Sequence, residues 1–160
     1  MKRSWWLILS VVAALAGTFL YVNSSDQPQS DEEQIRALLA VGESSIERRS
    51  VRDAMACVSE DYSDESGFNR DALRLQLIQA LRTAERYDVS LQTESLAVSG
   101  DSAEVETVVA LHAYQEGRMS MVFHGPVRIM LKKEPARRYL VLASSAWKVV
   151  RITGLPMGPE

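Results

Sequence analysis

Few side chains in this 160-residue sequence could do chemistry: the acidic run Asp61-Tyr62-Ser63-Asp64-Glu65, the histidines His112 and His124, and the single thiol of Cys57. A carboxylate beside a phenol, as at Asp61, Tyr62 and Asp64, could exchange a proton with a small carbonyl substrate if burial moved a pKa toward neutrality. His124 joins them because an imidazole titrates near neutral pH without help. Each candidate has a plainer reading. Asx side chains close turns by accepting from nearby amides, and Tyr62 can bury its ring while its hydroxyl stays wet. The acids at 61, 64 and 65 lack the alternating oxygen spacing of a calcium loop, so no metal is expected. Cys57 lies among Met55, Ala56 and Val58 as a small hydrophobe, and one cysteine makes no intrachain disulfide.

The elements that must position these residues follow from periodicity. Ile35, Leu38, Leu39, Gly42 and Ile46 recur at helical spacing, which predicts a helix over 31–49 capped by Ser30 or Asp31, with an acidic first turn. A shorter helical piece at 51–58 leads into a loop at 59–67. Asn69 caps a third helix over 70–86, where Leu73, Leu77, Ala80, Leu81 and Ala84 share a face widened by Leu75 and Ile78. After Tyr87 the period becomes two. Runs at 87–98, 103–114, 118–131 and 139–152 are separated by short polar turns, the last being 132–138 with Pro135. Such connections make hairpins, so the class is α+β with an antiparallel meander. Val89 and Leu91 differ in parity from Leu96 and Val98, which predicts a bulge near Glu94. Pro126 should interrupt the third run.

Parity then sorts the candidates. Val105, Thr107, Val109, Leu111 and Ala113 form an apolar face, opposite Glu104, Glu106 and His112. In the next run Met119, Met121 and Phe123 fall together, with Ser120 and His124 opposite. Both histidines thus belong to the polar side, unless Gly125-Pro126 turns His124 inward. Val108 and Ala110 on that second face, and the apolar succession Tyr139, Leu140, Val141, Leu142, favour a homodimer through the sheet.

Residues 5–22 are uncharged and mostly apolar, close to the length that crosses a bilayer, with Lys2 and Arg3 before them and acids after. They are read as a membrane anchor, or as a signal peptide removed after Ala14-Leu15-Ala16, and in either case the domain lies outside the cytoplasm. Residues 23–30 form a linker and 155–160 a tail. Without Lys2 and Arg3, the 18 basic residues fall to 16 against 21 acidic, a net of −5, which disfavours a nucleic-acid partner. No cofactor motif is present.

Three helices, the acidic loop with its Tyr-x-Asp-x-x-Gly pattern at Tyr62, Asp64 and Gly67, and four long strands ending in Trp147-Lys148-Val149-Val150 resemble the nuclear transport factor 2-like (NTF2-like) superfamily. The pattern is similar to those in exported bacterial members. The resemblance covers about 31–154 and implies three helices packed in the concave face of a curved four-stranded antiparallel sheet, a cone with a pocket. Some members are isomerases, cyclases or dehydratases and many are non-catalytic. Met119, Met121, Phe123, Met130 and Trp147 most simply fill the core, but flexible Met side chains adapt to apolar ligands, which makes Tyr62, Met119, Met121, Phe123 and Trp147 the candidate pocket lining. The expectation is a non-catalytic module binding a small apolar ligand or a protein partner. The alternative is a small-molecule isomerase, cyclase or dehydratase using Asp61, Tyr62, Asp64 or His124.

Overall fold

Helices precede strands, as the change of period predicts. The structure, a computed structural model, describes residues 29–65, 67–138 and 142–155. The candidate anchor at 5–22 and most of the linker lie outside these. Among the described residues no helix is long and apolar enough to cross a membrane. The elements are α1 (Asp31–Glu47), α2 (Val51–Ala56), α3 (Arg70–Ala80), β1 (Arg86–Ser99), β2 (Ser102–Gln115), β3 (Arg118–Arg138) and β4 (Leu142–Thr153). The strands form one antiparallel sheet in the order β1-β2-β3-β4.

Local signals explain the helix starts. Ser50 accepts from the Asp53 amide at the head of α2, and Asn69 accepts from the Ala72 amide at the head of α3. α3 ends at Ala80, short of the expected 86. Thr83 Oγ1 donates to the Ala80 carbonyl, and Arg49, itself at φ 57°, lays its Nε on the Leu81 carbonyl. Leu81 and Ala84, which prolong the helical stripe in sequence, are instead buried with Tyr87 and Ala113 in a satellite cluster.

The sheet bends at three irregularities. One lies between Thr93 and Ser95, where the parity change predicts it. A second leaves Val122 opposite the Leu111–His112 step, and a third leaves Val150 opposite Met130–Leu131. The second corrects the sequence reading. Phe123 pairs with Leu111 on the concave face, but the extra residue reverses the phase, so Met121 pairs with His112 and Met119 with Tyr114 on the convex face. Met119 and Met121 are 60% and 63% exposed. Pro126 does not interrupt β3. The ladder to β4 stops at Arg128–Thr153, so Pro126 has one neighbouring strand and its missing N–H is not required on the other side. Gly154 turns the chain here at φ 94°, and a Cβ on it would stand 2.5 Å from the Pro126 carbonyl oxygen.

The expected turn at 132–138 is strand as well. β3 and β4 pair as far as Arg138–Leu142, whereas β2 last pairs at Lys132, so the two strands run on as a ribbon. The start of α1 holds this ribbon. Asp31 accepts from Lys133 Nζ at 2.6 Å and from Trp147 Nε1 at 3.2 Å. The main core gathers Ile35, Met55, Tyr62, Leu73, Val105, Leu131 and Trp147, and truncating Ile35 to Ala should cost about 2–5 kcal/mol.

The Lys133 and Trp147 donors hold the Asp31 carboxyl below its ordinary value, against a small opposing effect of burial. A depressed carboxylate contributes stability above its unfolded pKa, about 3.9, and loses it as pH falls through the folded value. Asp31→Asn should therefore lower the thermal midpoint at neutral pH, with a difference from wild type that shrinks below about pH 4. Melting curves across that range check it, and a pH-independent difference would show that Asp31 acts through neither donor.

Candidate functional site

The segment after α2 runs beside β4 before it reaches the acidic loop. Val149 donates its amide to the Cys57 carbonyl, the Ser59 amide donates to Val149, and the Ser63 amide donates to Val150. Val58 and Val149 form a parallel bridge, so the outer edge of β4 is covered. Ser59 is buried and its hydroxyl donates to Glu134 on the ribbon.

This placement separates the acid–base candidates. Asp61 is exposed, with its amide on the Ser59 hydroxyl. Asp64 is buried and closes the loop on itself: Oδ1 accepts from the Phe68 amide at 2.9 Å while its own amide donates to the Phe68 carbonyl. That is the Asx-type turn closure of the plainer reading. Tyr62 is 2% exposed and belongs to the core. No hydrogen bond of normal geometry reaches its hydroxyl among the described residues. Burial, with a lesser push from the Asp64 charge and a small opposing pull from the Ile152 backbone, raises its phenol to about 12. Such a group stays protonated at physiological pH, far from the value that acid–base catalysis favours. His124 pairs with Ala110 on the convex face, and His112 sits there between Asp88 and Met121.

An apolar cavity lies elsewhere, between the helices and the concave face, with a volume of about 240 Å³. α1 contributes Leu38, Leu39, Gly42, Glu43 and Ile46, and α3 contributes Leu73 and Leu77. The sheet contributes Val89, Leu91, Val109, Val127, Ile129, Val149 and Ile152, with Ala54, Cys57, Val58 and Leu155 completing the wall. Glu43 and Cys57 are its ionisable residues. Burial pushes the Cys57 thiol up, so it stays protonated. None of Tyr62, Met119, Met121, Phe123 and Trp147 lines this space. Phe123 does face the concave side, with its ring over Gly125, but Trp147 is held in the core by Asp31.

The true lining was half visible in sequence. Leu38, Leu39, Gly42 and Ile46 are the α1 stripe, and Val109 is on the predicted apolar face of β2. Gly42 is the informative member, because a Cβ there would meet nothing within 4 Å. Its missing side chain leaves part of the cavity open. Among the described residues no group of three or more His, Cys, Asp or Glu side chains could hold a metal ion.

No family model matches the chain, and no curated protein matches it. Solved structures do. An NTF2-like protein with a cystatin-like fold from Novosphingobium aromaticivorans aligns at TM-score 0.57 with 17% identity, over 86% of this chain and 84% of that one. The chain has the NTF2-like fold. A conserved protein from Planctomyces limnophilus aligns at TM-score 0.63 with 12% identity, over 77% of this chain and 93% of that one. A candidate scytalone dehydratase from N. aromaticivorans aligns at TM-score 0.61 with 15% identity, over 76% and 80%. At such identities the likeness concerns the NTF2-like fold alone, which hosts unrelated activities.

Tyr62→Phe removes a buried hydroxyl without a normal partner and should leave stability within about 1 kcal/mol of wild type, whereas Tyr62→Ala should cost about 3–5 kcal/mol. Urea titration measures both. A large loss in the Phe variant would assign the hydroxyl a bond that this geometry lacks.

Proposed function

We propose that this chain is a non-catalytic, extracytoplasmic NTF2-like module that takes a small, uncharged, apolar molecule into the cone. The observation that carries the reading is the lining of the cavity: aliphatic side chains from all four strands and all three helices, with Glu43 and the protonated Cys57 as its ionisable residues. An unpaired charge carried into such a space would lose its hydration without compensation, so a neutral ligand fits best. Size narrows the choice. An apolar cavity of about 150 Å³ admits benzene, and drug-sized ligands occupy about 300–1,000 Å³. The 240 Å³ here lies between them. A substituted benzene or a short aliphatic chain matches that interval.

The isomerase, cyclase or dehydratase alternative needs an acid–base group at the ligand. Asp61 is on the surface, Asp64 closes a turn, Tyr62 is in the core, and none borders the cavity. Extracytoplasmic placement rests on the sequence of residues 1–33, with its basic start, apolar stretch and acidic continuation.

Gly42 supplies the test. Gly42→Ala meets no neighbour and should stabilise by about 0.5–1 kcal/mol through helix propensity. Gly42→Leu should fill part of the cavity and weaken binding of n-butylbenzene, followed by ligand-detected NMR, about tenfold or more. Equal binding by wild type and the Leu variant, with both folded, would refute the cavity as the site.

A second reading concerns a protein partner. Met119 and Met121 are exposed on the convex face beside Tyr114 and His112, and the unpaired Val122 next to them in the chain is exposed as well, which supports a homodimer through the sheet. Light scattering in neutral detergent should give twice the chain mass for wild type and a monomer for Met121→Asp. A monomeric wild type would remove this reading.

A further inference from the structure

Six of the arginines gather where α2 and α3 meet. One groove of about 380 Å³ is bordered by Arg48, Arg49 and Arg82, and another of about 400 Å³ by Arg52, Arg70 and Arg74. Val51 and Ile78 belong to both, so the grooves adjoin over a shared apolar floor. Among the described residues no carboxylate side chain borders either one. Three of the guanidinium groups are in use: Arg48 holds Asp53 at 3.6 Å, Arg70 holds Glu60 at 3.3 Å, and Arg49 caps backbone carbonyls. Arg52, Arg74 and Arg82 are exposed and hold no ion pair among the described residues.

We propose that this surface docks an acidic peptide segment of a partner protein, with an apolar side chain seated on Val51 and Ile78 and flanking carboxylates on Arg52, Arg74 and Arg82. Three observations select that occupant. Free arginine forks match carboxylates in planar, two-bonded geometry. The concave apolar floor suits a side chain projecting from a peptide rather than a flat lipid surface. The concentration is local, because the chain as a whole carries a net charge of −3, so general attraction to anions is weak. Net charge hides this cluster, since it averages six arginines against acids on other faces. The surface lies outside the cone cavity and does not depend on it.

The test uses the full chain in neutral detergent and a fluorescein-labelled, glutamate-rich dodecapeptide with one central leucine. Anisotropy should report binding that weakens as salt rises from about 50 to about 200 mM. Arg52→Ala combined with Arg74→Ala should reduce affinity about tenfold or more, Ile78→Ser should reduce it as well, and Arg36→Ala combined with Arg118→Ala, elsewhere on the surface, should leave it unchanged. Circular dichroism confirms that each variant is folded. The proposal is overturned if the Arg52/Arg74 variant binds like wild type, if a lysine-rich peptide binds as well, or if no glutamate-rich peptide binds at low salt. It is also overturned if phosphatidylglycerol vesicles or a single-stranded oligonucleotide bind with the same arginine dependence and more tightly than the peptide.

Discussion

A long, bent sheet exposes more apolar surface on its inner side than three short helices can cover. Every other feature of this molecule answers that constraint. The inward residues of β2 and β3, from Ala103 through Ala113 and from Phe123 through Leu131, must leave water, and α1 supplies only a narrow stripe to meet them. Where Ile35, Met55 and Leu73 reach the sheet, a tight core forms. Where α1 has Gly42, packing stops short and the cavity remains. The cavity is thus a residue of incomplete coverage, and its walls are aliphatic because they are the same side chains that build the core.

Curvature is the second half of that constraint. Three irregularities each add an unpaired residue or a shift, and the sheet bends there rather than breaking. The bend lets β3 and β4 run past β2 as a ribbon, and Asp31 anchors that ribbon to the first turn of α1 through Lys133 and Trp147. One carboxylate therefore joins the beginning of the domain to its last hairpin. The covered edge of β4 serves the same end, since the 57–63 segment satisfies backbone groups that a bare edge would leave open.

Much of the fold was legible in sequence, because period and turn chemistry are local. The switch from 3.6 to 2 after Tyr87, the Asn69 cap and the parity change near Glu94 each sit within a few residues. What was not legible depended on a partner strand. Met119, Met121 and Phe123 are all apolar at alternate positions, so nothing in their own run betrays the extra residue at Val122 that sends the two methionines outward. Leu81 and Ala84 continue a helical spacing that the satellite cluster uses without a helix. Lys132 to Arg138 reads as a turn until its register with β4 is known. The cavity followed the same division. Its α1 wall was a visible stripe, but its openness turns on a missing side chain at Gly42, and absence has no periodicity. Of the aromatic and sulfur-bearing candidates, Tyr62 and Trp147 joined the core, the simplest place for them, whereas Met119 and Met121 went to the convex face.

The central claim is that a real, apolar, unfilled space lies between α1, α3 and the concave face. A crystal of the protein held under xenon pressure measures it most directly, since xenon enters dry apolar cavities and scatters strongly. The account predicts xenon density bounded by Gly42, Leu77, Val109 and Ile129. Side chains collapsed into that space, with no xenon there, would contradict it.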